Sequence, residues 1–130
     1  MTFAEFSQWK PDNKRYELHD GAIFEMPQPT GEHEDLVGFL AEKLTLEYVR
    51  LNLPFSIPKT ALVKSASSES AYSPNILLLN RSNLINEPFW KKESTVTMSA
   101  FIPLVIEVVS TNWRDDYYKK IWRVRRYKNS

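Results

Sequence analysis

The sequence predicts a mixed domain (α/β, or α+β with a mixed sheet), and three observations carry that expectation. Tyr16 to Met26, YELHDGAIFEM, sets Asp20-Gly21, a two-residue turn signal, between short apolar strands. From residue 31 to 51, Leu36, Val37, Leu40, Leu44, Tyr48 and Leu51 recur at the spacing of one helix face. Phe101 to Ser110, FIPLVIEVVS, is an apolar run rich in Val and Ile, the composition of a buried strand.

At 130 residues the chain is expected to form one domain, 1–130, able to bury a core without staples. A hydrophobic content of 42% and a charged content of 25% exclude a disordered or membrane-spanning chain. The net charge of +1 gives no global attraction to nucleic acid, so any such binding must come from local patches. The absence of cysteine excludes disulfides and thiolate metal sites and fits a cytoplasmic protein. Glu5, Lys10, Asp12 and Lys14 occupy the place where a signal peptide needs an apolar core.

Taken in order, Phe3, Phe6 and Trp9 suit a short helix that Pro11 interrupts. In the hairpin, His19 flanks the turn and reads as solvated. Pro27 and Pro29 end the hairpin, and Thr30 offers an N-cap to the long helix, with Glu32, Glu34 and Asp35 in its first turn. The helix is expected to pack on the sheet. His33 and Glu34 either approach a metal or form a solvated helix start. TALVK (60–64) suggests a strand, SASSES a mobile loop, and Ile76 to Leu79 a second buried strand entered through Pro74-Asn75. Phe89 and Trp90 beside Lys91 and Lys92 either stack on bases or pin an irregular loop. After the Phe101–Ser110 strand, Asn112 or Asp115 can cap a helix with Trp113, Tyr117, Ile121 and Val124 as its stripe, and with Asp116 and Lys120 four residues apart.

Glu107 stands out. A carboxylate among Leu104, Val105, Ile106, Val108 and Val109 is costly unless paired. It either faces solvent from an edge strand, or serves as a metal ligand or acid–base group on a rigid element.

RYELHDGAIFEM, PTGEHE, YSPNILLLN, IPLVIEVVS and RDDYYKK, in that order, resemble the PD-(D/E)xK nuclease superfamily and, within it, the bacterial Uma-two family of restriction-type endonucleases. The resemblance implies a restriction-endonuclease-like mixed central sheet flanked by helices, with an N-terminal β-hairpin. It implies a Mg²⁺- or Mn²⁺-dependent endonuclease acting on DNA, with metal positions at Asn75 and Glu107. The superfamily's lysine two residues after the Glu is replaced by Val109, and Lys120 on the following helix fits the lysine's position, with Asp116 one turn earlier. Such nucleases often act as dimers, and an unfinished sheet leaves an edge for a second copy.

Two departures qualify the resemblance. Asn75 stands where the family has aspartate, so weak metal binding and weak or lost activity are expected. The alternative is a non-catalytic DNA- or partner-binding remnant. The family's further C-terminal strands are also expected to be missing, because the chain ends at Ser130. A frameshift within the codons of IWRVRRY would account for that. The tail, with Lys119, Lys120, Arg123, Arg125, Arg126 and Lys128, is basic enough to meet phosphates.

Overall fold

The computed structural model describes residues 1–97, 102–110 and 120–125, the last six together with 109 and 110 as backbone. Helix α1 (Phe3–Trp9) opens with a capping box. Thr2 Oγ1 accepts the Glu5 N–H, and Glu5 Oε1 accepts the Thr2 N–H at 2.9 Å. Strands β1 (Tyr16–His19) and β2 (Ala22–Glu25) form the expected hairpin in full register, Tyr16 against Glu25 and His19 against Ala22. Its two turn residues both take positive φ, 48° at Asp20 and 84° at Gly21, as this turn class demands. A Cβ on Gly21 would also meet the Met1 carbonyl oxygen at 3.2 Å.

Helix α2 (Gly31–Arg50) starts where the cap predicts, with Thr30 Oγ1 accepting the His33 N–H. Its stripe of Leu36, Val37, Leu40, Leu44 and Tyr48 is covered only halfway. No residue of α2 is buried, which corrects the expectation of a helix packed down on the sheet. Phe39, Leu46 and Val49 on its other side are exposed.

The remaining strands are β3 (Phe55–Ser56), β4 (Leu62–Lys64), β5 (Ala71–Tyr72), β6 (Ile76–Asn80), β7 (Thr95–Val96), β8 (Leu104–Ser110) and β9 (Lys120–Arg125); α3 is Trp90–Glu93. A five-stranded mixed sheet runs β2-β1-β5-β4-β7, in which β4 and β7 are parallel; a four-stranded antiparallel sheet runs β3-β6-β8-β9. The expected mixed sheet is the five-stranded one, and the antiparallel sheet accompanies it. The loop between β4 and β5, expected to be mobile, is tied internally: the Ser65 N–H bonds the Ser70 carbonyl at 2.9 Å, and Ser70 is fully buried with its Oγ on the Asp20 N–H.

Two clusters make the core. Phe3, Phe6, Leu18, Leu62 and Ala71 seal α1 onto one face of the five-stranded sheet. Leu77, Leu79, Val96, Ile102 and Val105 join the two sheets. Each of these side chains apart from Ala71 contributes about 1.5–3 kcal/mol on leaving water. Phe89 packs edge-on against Phe3 at 5.3 Å and Trp90 against the second cluster, so these aromatics pin their loop.

The helix expected after the Phe101–Ser110 run is contradicted at its C-terminal half. Ile121 and Val124 lie in β9, paired with Val109 and Ile106. The sequence KIWRVR contains three strand formers, Ile121, Trp122 and Val124, and pairing along β8 satisfies backbone groups that a helix would have left bare on that edge. Strand β8 is therefore an interior strand, flanked by β6 and β9. Asn112, Trp113, Asp115, Asp116, Tyr117, Lys119, Arg126 and Lys128 fall outside the described residues. Among the described residues, no helix is long and apolar enough to cross a membrane.

Candidate functional site

The register of β6 and β8, Leu77 against Val105 and Ile76 against Ile106, brings Asn75 and Glu107 together. One step further along this ladder sets Asn75 across from Glu107. Alternation along each strand puts both on the face of Leu77 and Val105, the face that meets the other sheet. The Asn75 side chain is fixed there by Oδ1, which accepts the Val108 N–H at 2.7 Å. Glu107 is half-buried, on a strand flanked by β6 and β9, so it is not the solvated residue of an edge strand.

Asn75 also lines a groove of about 680 Å³. Its walls come from the hairpin base (Lys14, Arg15, Glu25), the first turn of α2 (Glu34) and Lys59. Lys14 and Glu25 form an exposed ion pair at 3.2 Å, and the hydrogen bond and charge of Glu25 hold the Lys14 ammonium above its ordinary range. Arg15 Nη2 donates to Ser73 Oγ at 3.1 Å, beside Asn75. The groove is therefore a polar trough of mixed sign. Of the two residues at the start of α2, Glu34 reaches this trough. His33 keeps a buried Nδ1 without a hydrogen bond, its approach to Glu34 Oε1 being 3.7 Å.

Lys120 does not stand on a helix. It opens β9 opposite Ser110, three residues along from Glu107, which corresponds to ~10 Å of strand. Arg123 is the residue whose backbone pairs with Glu107. The structure thus joins two of the three expected site residues, Asn75 and Glu107, and sets Lys120 apart in register.

A divalent ion needs oxygen ligands, at least one or two of them carboxylates. The residues present fit that need poorly. An aspartate at position 75 could give one oxygen to the Val108 N–H and keep the other for a metal. Asparagine has one uncharged oxygen, shared with the Val108 N–H, and an amino group that cannot ligate. Among the described residues no group of three His, Cys, Asp or Glu side chains could hold a metal ion.

One polar constellation escaped the sequence reading. Glu17 is buried at 8% exposure, with Oε2 accepting the Ser73 N–H at 2.7 Å and Oε1 bonded to His19 Nε2 at 2.9 Å. His19 is therefore not simply solvated, as expected. The available signal was the Glu-x-His spacing within a predicted strand, which puts both side chains on one face.

Compared with known proteins, the chain matches the model of the family Uma2, described as putative restriction endonuclease, over residues 3–127. No curated protein and no solved structure matches it. The mixed α+β architecture, with a mixed five-stranded sheet, a second sheet and helices, is consistent with a restriction-endonuclease-like fold.

Proposed function

The chain belongs to the Uma2 family, and from that premise we propose that its groove receives DNA at a phosphodiesterase site weakened by Asn75. Restriction-endonuclease-like proteins generally use divalent metals, and Glu107 is the side chain that would offer one a carboxylate here. The observation that carries the reading is the Asn75–Val108 hydrogen bond, which ties the one, uncharged oxygen of residue 75 to the backbone and leaves no second oxygen for a metal. What remains is a cleft lined by Lys14, Arg15 and Lys59 together with Glu25 and Glu34, and one family-type carboxylate, Glu107, beside Asn75 in the strand register.

On this reading the chain's own residues bind and orient. Lys14, Arg15 and Lys59 meet backbone phosphates, which fixes position without reading sequence. Glu107 is the acidic ligand position, and Lys120 keeps the lysine's role by resemblance.

The test is a nuclease assay with Mg²⁺ or Mn²⁺ on the chain, on Asn75→Asp, and on Asn75→Asp combined with Glu107→Gln or Lys120→Ala. Weak or no cutting by the chain, cutting by Asn75→Asp, and loss in both double variants are expected. If Asn75→Asp stays silent while DNA is bound, the second reading applies, a DNA-binding module without hydrolysis. The committed oxygen of Asn75 favours that second reading too.

A further inference from the structure

Phe24, His19 and Tyr72 stand one on each of three neighbouring strands, β2, β1 and β5. The pairings Glu17–Phe24, His19–Ala22 and Leu18–Ala71 place all three on one face, opposite the face that α1 seals. The imidazole lies between the other two rings, 4.6 Å from the Phe24 centroid and 5.0 Å from that of Tyr72. Cross-strand ring packing of this kind supports a sheet. These rings are nonetheless open to solvent, 48% for Phe24, 41% for Tyr72 and 39% for the His19 side chain. Phe3, which meets Phe89, is by contrast 3% exposed.

The middle ring is held in place. Its Nε2 bonds the buried Glu17 carboxylate, whose second oxygen takes the Ser73 N–H. A ring fixed in this way loses little rotamer freedom when a flat partner covers it. The row also leads into the candidate site. Tyr72, Ser73, Pro74 and Asn75 are consecutive, and Ser73 and Asn75 line the groove together with Arg15, which donates to Ser73.

A row of exposed rings on a sheet, next in sequence to a groove that holds Lys14, Arg15 and Lys59 beside Glu25 and Glu34, is surface chemistry suited to unstacked bases. Intact duplex hides its base faces and offers such rings nothing to stack on. We propose that Phe24, His19 and Tyr72 form a stacking platform, and that the groove's substrate class is single-stranded or locally unpaired DNA. This deepens the DNA reading above and depends on it, but not on hydrolysis.

The experiment is fluorescence anisotropy with a labelled oligothymidylate and with a labelled duplex of equal length. It uses the whole chain and the variants Phe24→Ala, Tyr72→Ala, Phe24→Leu, Tyr72→Leu and Phe39→Ala, each checked by circular dichroism for its fold. Tighter binding of the single strand is expected, weakened about tenfold by each ring removal, to Leu as well as to Ala, since stacking needs the π face. Phe39→Ala, which removes an exposed ring on α2 outside the row and the groove, should bind the single strand as the parent does. Equal affinity for single strand and duplex, or Leu variants that bind as the parent does, would overturn the platform while leaving a duplex nuclease standing. Binding of neither DNA would overturn both. Cutting by Asn75→Asp that ignores the ring variants on unpaired substrate would overturn the platform alone.

Discussion

Glu17 and Asn75 solve the same local problem with different chemistry. Each side chain reaches a backbone N–H outside its own strand, Glu17 that of Ser73 and Asn75 that of Val108, both at 2.7 Å. The carboxylate has a second oxygen, which goes to His19. The amide has none. The difference shows that a position can keep its structural hydrogen bond after losing the feature its chemistry needs. Asparagine at 75 holds β8 in place much as aspartate would, so the fold exerts little pressure against the exchange.

The largest effect should come from giving position 75 that second oxygen. Asn75→Asp is expected to tighten Mn²⁺ binding by about 10–100-fold, the range that ligand-environment changes span. Isothermal titration reads this directly, and an unchanged curve breaks the comparison. Next is the removal of each acceptor. Glu17→Ala abandons a buried N–H and the His19 contact together and should cost about 1–3 kcal/mol in urea unfolding. Asn75→Ala strands only the Val108 N–H and should cost less, about 1 kcal/mol. A reversed order would mean that the half-buried amide carries more of the structure than the buried acid. Thr30→Ala deletes a cap at a helix with no buried residue and should cost ~1 kcal/mol, read the same way.

The smallest effect concerns a third carboxylate, Glu5. The backbone N–H of Thr2, followed by its side chain, holds this carboxyl below its ordinary value. A carboxylate depressed in the folded state adds stability above its unfolded pKa and loses it as pH falls through the folded one. The small advantage of the parent over Glu5→Gln should therefore be present near neutrality and fade below the ordinary carboxylate range. Thermal midpoints compared across acid pH would show it. A gap that persists in acid would assign the difference to packing.

Local chemistry was legible wherever it dictated structure by itself. Asp20-Gly21 can make few things other than a tight turn, and Thr30 ahead of an acidic first turn marks a helix start. Ile76 to Leu79 is apolar on both faces, as is Leu104 to Val109 apart from Glu107, and such runs must be covered. The strands β3, β5 and β7 are two residues each, too short for any period, and exist because longer neighbours bond to them. Ile121 and Val124, three residues apart, fit a helical stripe and not one face of a strand, and pairing with β8 overrode that local signal. The same limit applied to the site. Asn75 and Glu107 were found by their resemblance to a motif, but the bond from Val108 to Asn75 belongs to a register no local rule gives. Lys120 was assigned by the same resemblance, as a residue of a following helix, and in the fold it opens a strand instead.

The five-stranded sheet also has a cost in time. Leu18 pairs with Ala71, and Leu62 with Thr95, while the N–H of Phe3 rests on Glu69 and its ring on Phe89. The first helix thus has no seat until residues some ninety positions later have arrived. Contacts so distant along the chain slow the search for the native state. During synthesis, the aromatic N-terminus must therefore wait in water for most of the polypeptide to emerge, an interval in which chaperone capture competes with folding.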